Sequence, residues 1–380
     1  MKKILLIGLT LLMLCGCTSI PNNNPENNKV AFEDFGFEMF RSIDTKQNTV
    51  FSPFSMICAV NILMNAANGR TRELLVDRLN IDVESMNKMV KEKWASLENT
   101  ANSTILDLAN SLWIDTVIDK KDSFVLENLD TFVRNMEDDR TLSEINQWVS
   151  DNTRNLIPKA YDRMPDGLLA LIMNTVYFKA TWRHQFAESE IFDDHFFVGD
   201  EDITVPMMHH TAHYDYYKNK WCEGVVMPYD DGRTVMLALK GDPDEIVKNL
   251  SMKAIRQLLE SKQTKKVSLT IPKFEISYRW DAKTFMTNYG LGELFTSADL
   301  SNLTDGDMCI DDIFQKAKII VDGEGTEAAA LSVIGVKATS VAQPEEILEL
   351  RYDNPFVYLV YDMETETVLF MGTLYNPKAK

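Results

Sequence analysis

His209, His210 and His213 form the densest group of chemistry-capable side chains in this 380-residue chain, whose other histidines are His184 and His195. On a helix His209 and His213 would share a face and could grip a metal ion. Their setting, Val205-Pro206-Met207-Met208 before and Tyr214-Asp215-Tyr216 after, reads as strand, which turns successive side chains to opposite faces. Asp305, Asp307 and Asp311 hint at a calcium loop but lack the glycine and terminal glutamate such a loop uses. Cys58, Cys222 and Cys309 are too widely spaced for a metal motif, and Cys58 sits in an apolar helical run that suits packing. The chain has no Gly-x-Ser-x-Gly elbow, no His-Glu-x-x-His and no phosphate-cradling glycine loop. The expectation is no metal, no cofactor and no catalysis.

A different segment invites chemistry done to it. Gly325-Thr326-Glu327-Ala328-Ala329-Ala330 follows the strand-like run Ala317–Val321 and precedes small residues that continue almost to Pro344. As a strand it would carry Thr326, Ala328, Ala330, Ser332, Ile334 and Val336 on one face, small at first and then β-branched. No proline interrupts Gly323 to Gln343, so no ladder donor would be missing. Val333, Ile334 and Val336, with Gly335 among them, disfavour a long helix. Such a segment suits exposure in one state and strand pairing in another.

The elements around it read as helices first and strands later. Helical spacing marks Ala31–Arg41, Ser55–Ala67, Thr71–Leu79, Val83–Glu98 and Leu142–Leu156. Strand patterns mark Leu168–Phe178, Ile203–Met208, Trp221–Pro228, Thr234–Leu239, Lys266–Ile276, and a closing hairpin of Phe356–Asp362 with Val368–Leu374. The order is not a regular βαβ alternation, which predicts an α+β fold. Without repeats or linkers after Asn28, one domain over 30–380 is expected.

The start of the chain reads as an export signal. Lys2 and Lys3 precede an apolar run from Ile4 to Leu14, too short to span a bilayer. Leu14-Cys15-Gly16-Cys17 resembles a bacterial lipobox, so 1–16 is expected to be removed and Cys17 to carry lipid, with 17–29 as a flexible tether. That cleavage removes two lysines and moves the net charge from −18 to −20, which argues against nucleic acid as a partner.

Motifs spread over nearly the whole mature chain carry a family resemblance. Asn48-Thr49-Val50-Phe51-Ser52-Pro53, Asn174-Thr175-Val176-Tyr177-Phe178-Lys179-Ala180-Thr181-Trp182, Met227-Pro228-Tyr229, Ile271-Pro272-Lys273-Phe274, Asp353-Asn354-Pro355-Phe356 and Phe370-Met371-Gly372 occur in the order of the serpins, a family of protease inhibitors. The resemblance implies a fold of three sheets, about nine helices and an exposed reactive-centre loop, whose insertion into the central sheet releases stored strain. It implies a hinge at Glu324, Gly325, Thr326, Glu327, Ala328, Ala329 and Ala330, and a sheet-opening network of Ser52, Asn174, Gln315 and Trp182. Gln315 stands where the family often has histidine, and glutamine too can donate and accept. Gly323 stands where the family usually has glutamate, which would loosen the hinge. Family spacing from Gly325 puts the scissile bond at Thr339-Ser340; counting back from Pro355 gives Val341-Ala342. Lys337-Ala338 would suit a trypsin-like protease, and Val336, Thr339 or Val341 an elastase-like one. The implied protein is a monomeric serine protease inhibitor, lipid-anchored at the cell envelope, that traps its target as an acyl-enzyme. The alternative is a non-inhibitory relative acting as a surface binding module or plain protease substrate.

Overall fold

The computed structural model describes residues 34–98, 104–306, 308–326 and 346–379. Its helices are α1 (34–41), α2 (Pro53–Ala66), α3 (Gly69–Leu79), α4 (Val83–Leu97), α5 (Asp139–Asn152), α6 (Pro243–Asn249), α7 (Met252–Ser261) and α8 (Ala282–Met286). Its strands are β1 (Thr104–Asp115), β2 (Asp130–Arg134), β3 (Ala170–Thr181), β4 (Ile191–Val198), β5 (Glu201–Lys218), β6 (Glu223–Pro228), β7 (Thr234–Lys240), β8 (Gln263–Pro272), β9 (Phe274–Asp281), β10 (Asp312–Val321), β11 (Gly325–Thr326), β12 (Leu348–Arg351), β13 (Phe356–Asp362) and β14 (Thr367–Leu374). This is the expected α+β architecture.

Two hydrogen-bonded sheets hold these strands. The six-stranded sheet runs β2-β1-β3-β11-β10-β9. The eight-stranded one runs β12-β8-β5-β6-β7-β13-β14, with β4 on the other side of the first half of β5. β5 is long enough to serve two groups of neighbours. Its first half pairs with β4, and its last residues, Asp215 to Lys218, pair with β6. Two of the three sheets implied by the resemblance are therefore continuous through this strand.

The helix α2 is apolar nearly all round, and thirteen of its fourteen residues are buried, which is how a helix enclosed by a core must read. Pro53 opens it at a position where a missing N–H costs nothing. The helix α5 instead buries one stripe. Ile145, Trp148 and Val149 pack on Leu171 and Met173 of β3, each fully buried side chain contributing about 1.5–3 kcal/mol. It stops at Asn152, short of the expected Leu156, because Arg154 and Asn155 take left-handed backbone angles (φ 49° and 65°).

β3 is covered on both faces, so it reads as one apolar run. Ala170 and Ile172 join one large core and Val176, Phe178 and Ala180 another, while Leu171 and Met173 face α5. The segment expected as one strand over Lys266–Ile276 breaks at Lys273. β8 belongs to the eight-stranded sheet and β9 to the six-stranded one, so the chain changes sheet there.

Candidate functional site

The centre of the six-stranded sheet is closed at one end and parted at the other. β3 and β10 run parallel and paired from Leu171 opposite Asp312 to Val176 opposite Ala317. Beyond that point they separate, and β11 fills the gap. Gly325 lies opposite Thr181 and Thr326 opposite Ala180 on one side, and Thr326 lies opposite Val321 on the other.

A tight turn delivers β11 into the gap. The Asp322 N–H donates to the Gly325 carbonyl (2.9 Å), and its carboxylate accepts from the backbone of Glu324 (3.0 Å) and Gly325 (3.2 Å). Gly325 must be glycine by space, since a Cβ there would lie 2.1 Å from the Ala180 carbonyl oxygen. Gly323 is closely packed, though mainly against a side-chain end that can turn aside. A Cβ would meet Ile191 Cδ1 at 2.5 Å, and the Gly323 carbonyl accepts the Phe186 N–H at 2.8 Å. In this arrangement the glycine lets the turn lie close on Phe186 and Ile191.

An aromatic clamp holds Thr326. The residue is 1% exposed, and its hydroxyl shares a hydrogen bond of 2.7 Å with the Tyr229 hydroxyl. Tyr229 is fully buried and stacks on Trp182 with ring centroids 4.3 Å apart. Burial pushes the Tyr229 phenol well above its ordinary pKa, so it stays neutral. Trp182 donates its indole N–H to the Asp322 carbonyl (2.9 Å) and its backbone N–H to the Glu324 carbonyl (2.8 Å). Clamp and turn thus fix each other. Glu324 keeps one buried carboxylate oxygen without a hydrogen-bond partner among the described residues.

A second cluster crosses the closed part of the sheet. Gln315 Oε1 accepts from the Ser52 N–H (2.7 Å), and Nε2 donates to the Ser52 carbonyl (2.9 Å) and to Ser55 Oγ (3.1 Å). One buried amide thereby ties β10 to the first turn of α2. Asn174 lies opposite Gln315 in the strand register, yet its side chain donates to Asn110 Oδ1 (2.7 Å) on β1. Ser52 Oγ and Asn174 Oδ1 are buried without a partner among the described residues.

Of the residues expected in one network, the structure joins Ser52 with Gln315, gives Asn174 to a separate pair, and sets Trp182 in the clamp. Tyr229 was visible only as part of a short motif, and Asn110 and Ser55 carried no signal of their own. Glu327, Ala328, Ala329 and Ala330, the candidate cleavage residues Lys337, Ala338, Thr339, Ser340, Val341 and Ala342, and Cys17 lie outside the described residues.

The far end of the loop is anchored by β12. Arg351 pairs with Asp194 of β4 (2.6 Å), and the Phe197 N–H donates to the Asp353 carbonyl (2.8 Å). The guanidinium holds the Asp194 carboxyl below the usual carboxylate range.

The histidines serve the strand β5. His209 hydrogen-bonds Thr270 Oγ1 (3.2 Å) and stacks on Phe192, and His210 hydrogen-bonds the Tyr214 hydroxyl (2.8 Å). Among the described residues no group of histidine, cysteine and carboxylate side chains could hold a metal ion. Cys58 and Cys222 are buried, and burial pushes the Cys222 thiol up to about 12, which leaves it unreactive.

Residues 30–377 match the family model described as Serpin (serine protease inhibitor). An uncharacterized serpin-like protein of Thermococcus kodakarensis is 27% identical over 363 residues, covering 92% of this chain and 85% of that protein. The human plasma serine protease inhibitor is 26% identical over 365 residues, covering 90% and 89%. Among solved structures, the thermophilic serpin tengpin in its native state superposes with a TM-score of 0.83 at 25% identity, covering 93% of this chain and 95% of that one.

Proposed function

The chain belongs to the serpin family, and from that premise we propose that it inhibits a serine protease as a suicide substrate, by loop cleavage and insertion. The observation that carries this reading is β11, a two-residue strand already seated where β3 and β10 part. It sets the direction and register in which the cut loop would continue.

Extending the pairing of Thr326 with Ala180 along β3 puts Ala328 opposite Phe178, Ala330 opposite Val176, Ser332 opposite Asn174, Ile334 opposite Ile172 and Val336 opposite Ala170. Directly opposed residues share a face. The small and β-branched residues would therefore enter the two main cores, while Val333 and Gly335 would turn toward Met173 and Leu171 beneath α5. Each new ladder bond would contribute about 1 kcal/mol, besides the apolar burial. The uncut protein would be metastable, with a lifetime set by the barrier to parting β3 from β10.

Val336 would reach Ala170, the first residue of β3, so cleavage at Lys337-Ala338, Thr339-Ser340 or Val341-Ala342 falls just beyond the sheet's length. A protease acylated there would be carried the full length of the strand. We favour Thr339-Ser340. The export signal over 1–16 and lipid on Cys17 complete the proposal, placing a monomeric inhibitor at a bacterial cell envelope, guarding it against foreign proteases.

The test is to incubate protein lacking the signal with trypsin-like and elastase-like proteases and follow it by denaturing electrophoresis and mass spectrometry. A covalent complex is expected, with a released C-terminal peptide beginning at Ser340. Clean cleavage without complex by every protease would replace the inhibitor with the substrate or binding-module reading. Cys17→Ser should abolish incorporation of labelled fatty acid in the expressing cell; unchanged labelling would remove the anchor.

A further inference from the structure

A cleft of about 580 Å³ opens where α5 begins, at the end of the six-stranded sheet away from the clamp. One wall is formed by Met136 to Asp139, at the entry to α5, and the other by the segment 162–168 that leads into β3. The volume lies within the range of small-molecule sites. Both walls are tied to the sheet beneath. The Asp115 carboxylate, at the end of β1, accepts the Met136 N–H at 2.7 Å, and Asp311 accepts the N–H groups of Leu169 and Ala170 at 2.7 and 3.0 Å. Asn146 of α5 secures the start of the second wall, accepting from the Ala160 and Tyr161 N–H groups and donating to the Tyr161 carbonyl at 2.8 Å. The cleft is therefore held in shape from both sides.

Its floor is apolar. Met136 and Leu168 are buried in the core beneath α5, and Leu142 and Met164 lie half-buried beside them. Its rim is acidic. Arg163, the one cation of the lining, turns to Asp166 at 2.6 Å, and Asp138 is held by Arg140 at 2.7 Å. Asp138 and Asp139 also serve α5, as its cap and in its first turn. Glu137 and Asp162 lie outside any helix and have no such duty. Glu137 is exposed without an ion pair among the described residues, and Asp162, on the facing wall, meets Lys159 at 3.4 Å. Carboxylates short of close cations thus stand above a buried methionine and leucine, which leaves room for a positive head on an apolar body.

We propose that this cleft binds an amphipathic organic cation, an amine attached to an aromatic or aliphatic body. A primary ammonium has three donors, enough to reach Glu137 on one wall and Asp162 on the other. The body would cover Met136, Met164 and Leu168, and methionine sulfur makes favourable contacts with aromatic rings. Exposed ion pairs contribute little alone, so the carboxylates select the charge and the apolar floor supplies most of the affinity. The binding itself needs no assumption about protease inhibition.

The probe is dansylcadaverine, a primary amine on a naphthalene body, titrated into the folded protein at physiological ionic strength and read by fluorescence. A single saturable site is expected, with the neutral N-butyl dansylamide binding far more weakly. Glu137→Gln combined with Asp162→Asn, both exposed positions, should weaken the amine by at least about fivefold while the unfolding midpoint stays put. Asp193→Asn combined with Glu201→Gln removes two exposed carboxylates from the eight-stranded sheet, and should leave binding unchanged. Absence of saturable binding would overturn the proposal. So would equal affinity for the neutral analogue, several equivalent sites, or binding that survives the changes at Glu137 and Asp162.

Discussion

Replacing Thr326 by glutamate sets the seated hinge against the charge rules of a protein interior. Thr326 is 1% exposed, and its hydroxyl is bonded to Tyr229, itself fully buried. Loss of that hydroxyl leaves a buried phenol unpaired, at about 1–3 kcal/mol. A carboxylate in its place adds several kcal/mol of desolvation with no counter-charge. Withdrawal of β11 is the cheaper outcome, because its few ladder bonds are worth about 1 kcal/mol each. Insertion after cleavage has no such escape, since Thr326 must enter first. A penalty of about 3 kcal/mol on that step slows it by a factor of more than 100. Deacylation then overtakes trapping. Titration of the protease should show the stoichiometry rising from near one inhibitor per enzyme to well above ten, with gels shifting from complex to cleaved chain. If Thr326→Glu formed complex as efficiently as the parent protein, insertion through this hinge would be refuted.

Three further predictions concern the supports of the sheet. Gln315→Ala leaves the Ser52 N–H unpaired in the core, while the Ser52 carbonyl keeps the Met56 N–H, so unfolding should become easier by about 1–3 kcal/mol and, on the proposed mechanism, spontaneous loss of inhibition faster; an unchanged urea midpoint would contradict it. Gly323→Glu should destabilise by about 1–3 kcal/mol rather than stiffen the turn usefully, because its Cβ would meet Ile191 and Phe186, and a raised melting temperature would show the packing argument wrong. Burial holds the His209 and His210 imidazoles below their ordinary value, with Asp194 opposing this more weakly for His209. The unfolded chain then takes up protons first, so stability is full above about pH 6.5 and declines as pH falls through that value. His195, raised by Asp202, works in the other direction from an exposed position. The urea midpoint should be lower at pH 5.5 than at 7.5, and the double variant His209→Gln with His210→Gln should flatten the dependence; a midpoint that rises on acidification would reverse the assignment.

What the sequence disclosed follows from which residues answer to a simple period. β3 was legible because both its faces are buried, which leaves an unbroken apolar run. β1 was not, because buried Asn110, Ser111 and Asp115 interrupt its pattern with polar residues, Asn110 and Asp115 bonded to Asn174 and Met136 elsewhere and Ser111 to Trp113 within the strand. The strand-like pieces before and after His209 to His213 did not read as one element, and pairing with β8 from Met207 to Tyr216 joins them in β5. The link between Gln315 and Ser52 was accessible through resemblance alone, as the residues are 263 apart in the chain. The Asn110–Asn174 pair depends on the register of β1 against β3, which no local pattern encodes. Gly325 stood out because a glycine is needed where backbones come within contact distance, as it does against Ala180.

The strand β11 also has a bearing on how such a loop can evolve. With Thr326 fixed opposite Ala180, a loop that inserted as proposed would have its odd and even positions assigned to faces in advance. A single inserted or deleted residue between Thr326 and Val336 would exchange the two sets, sending Leu331 and Val333 toward the space meant for Ala330 and Ser332. Changes of length there are tolerable in pairs, or not at all. Beyond Val336 the sheet has ended and no such parity applies. On the proposed mechanism, the segment beyond Val336 could therefore change in length and in its cleavage residues without altering which side chains enter the sheet.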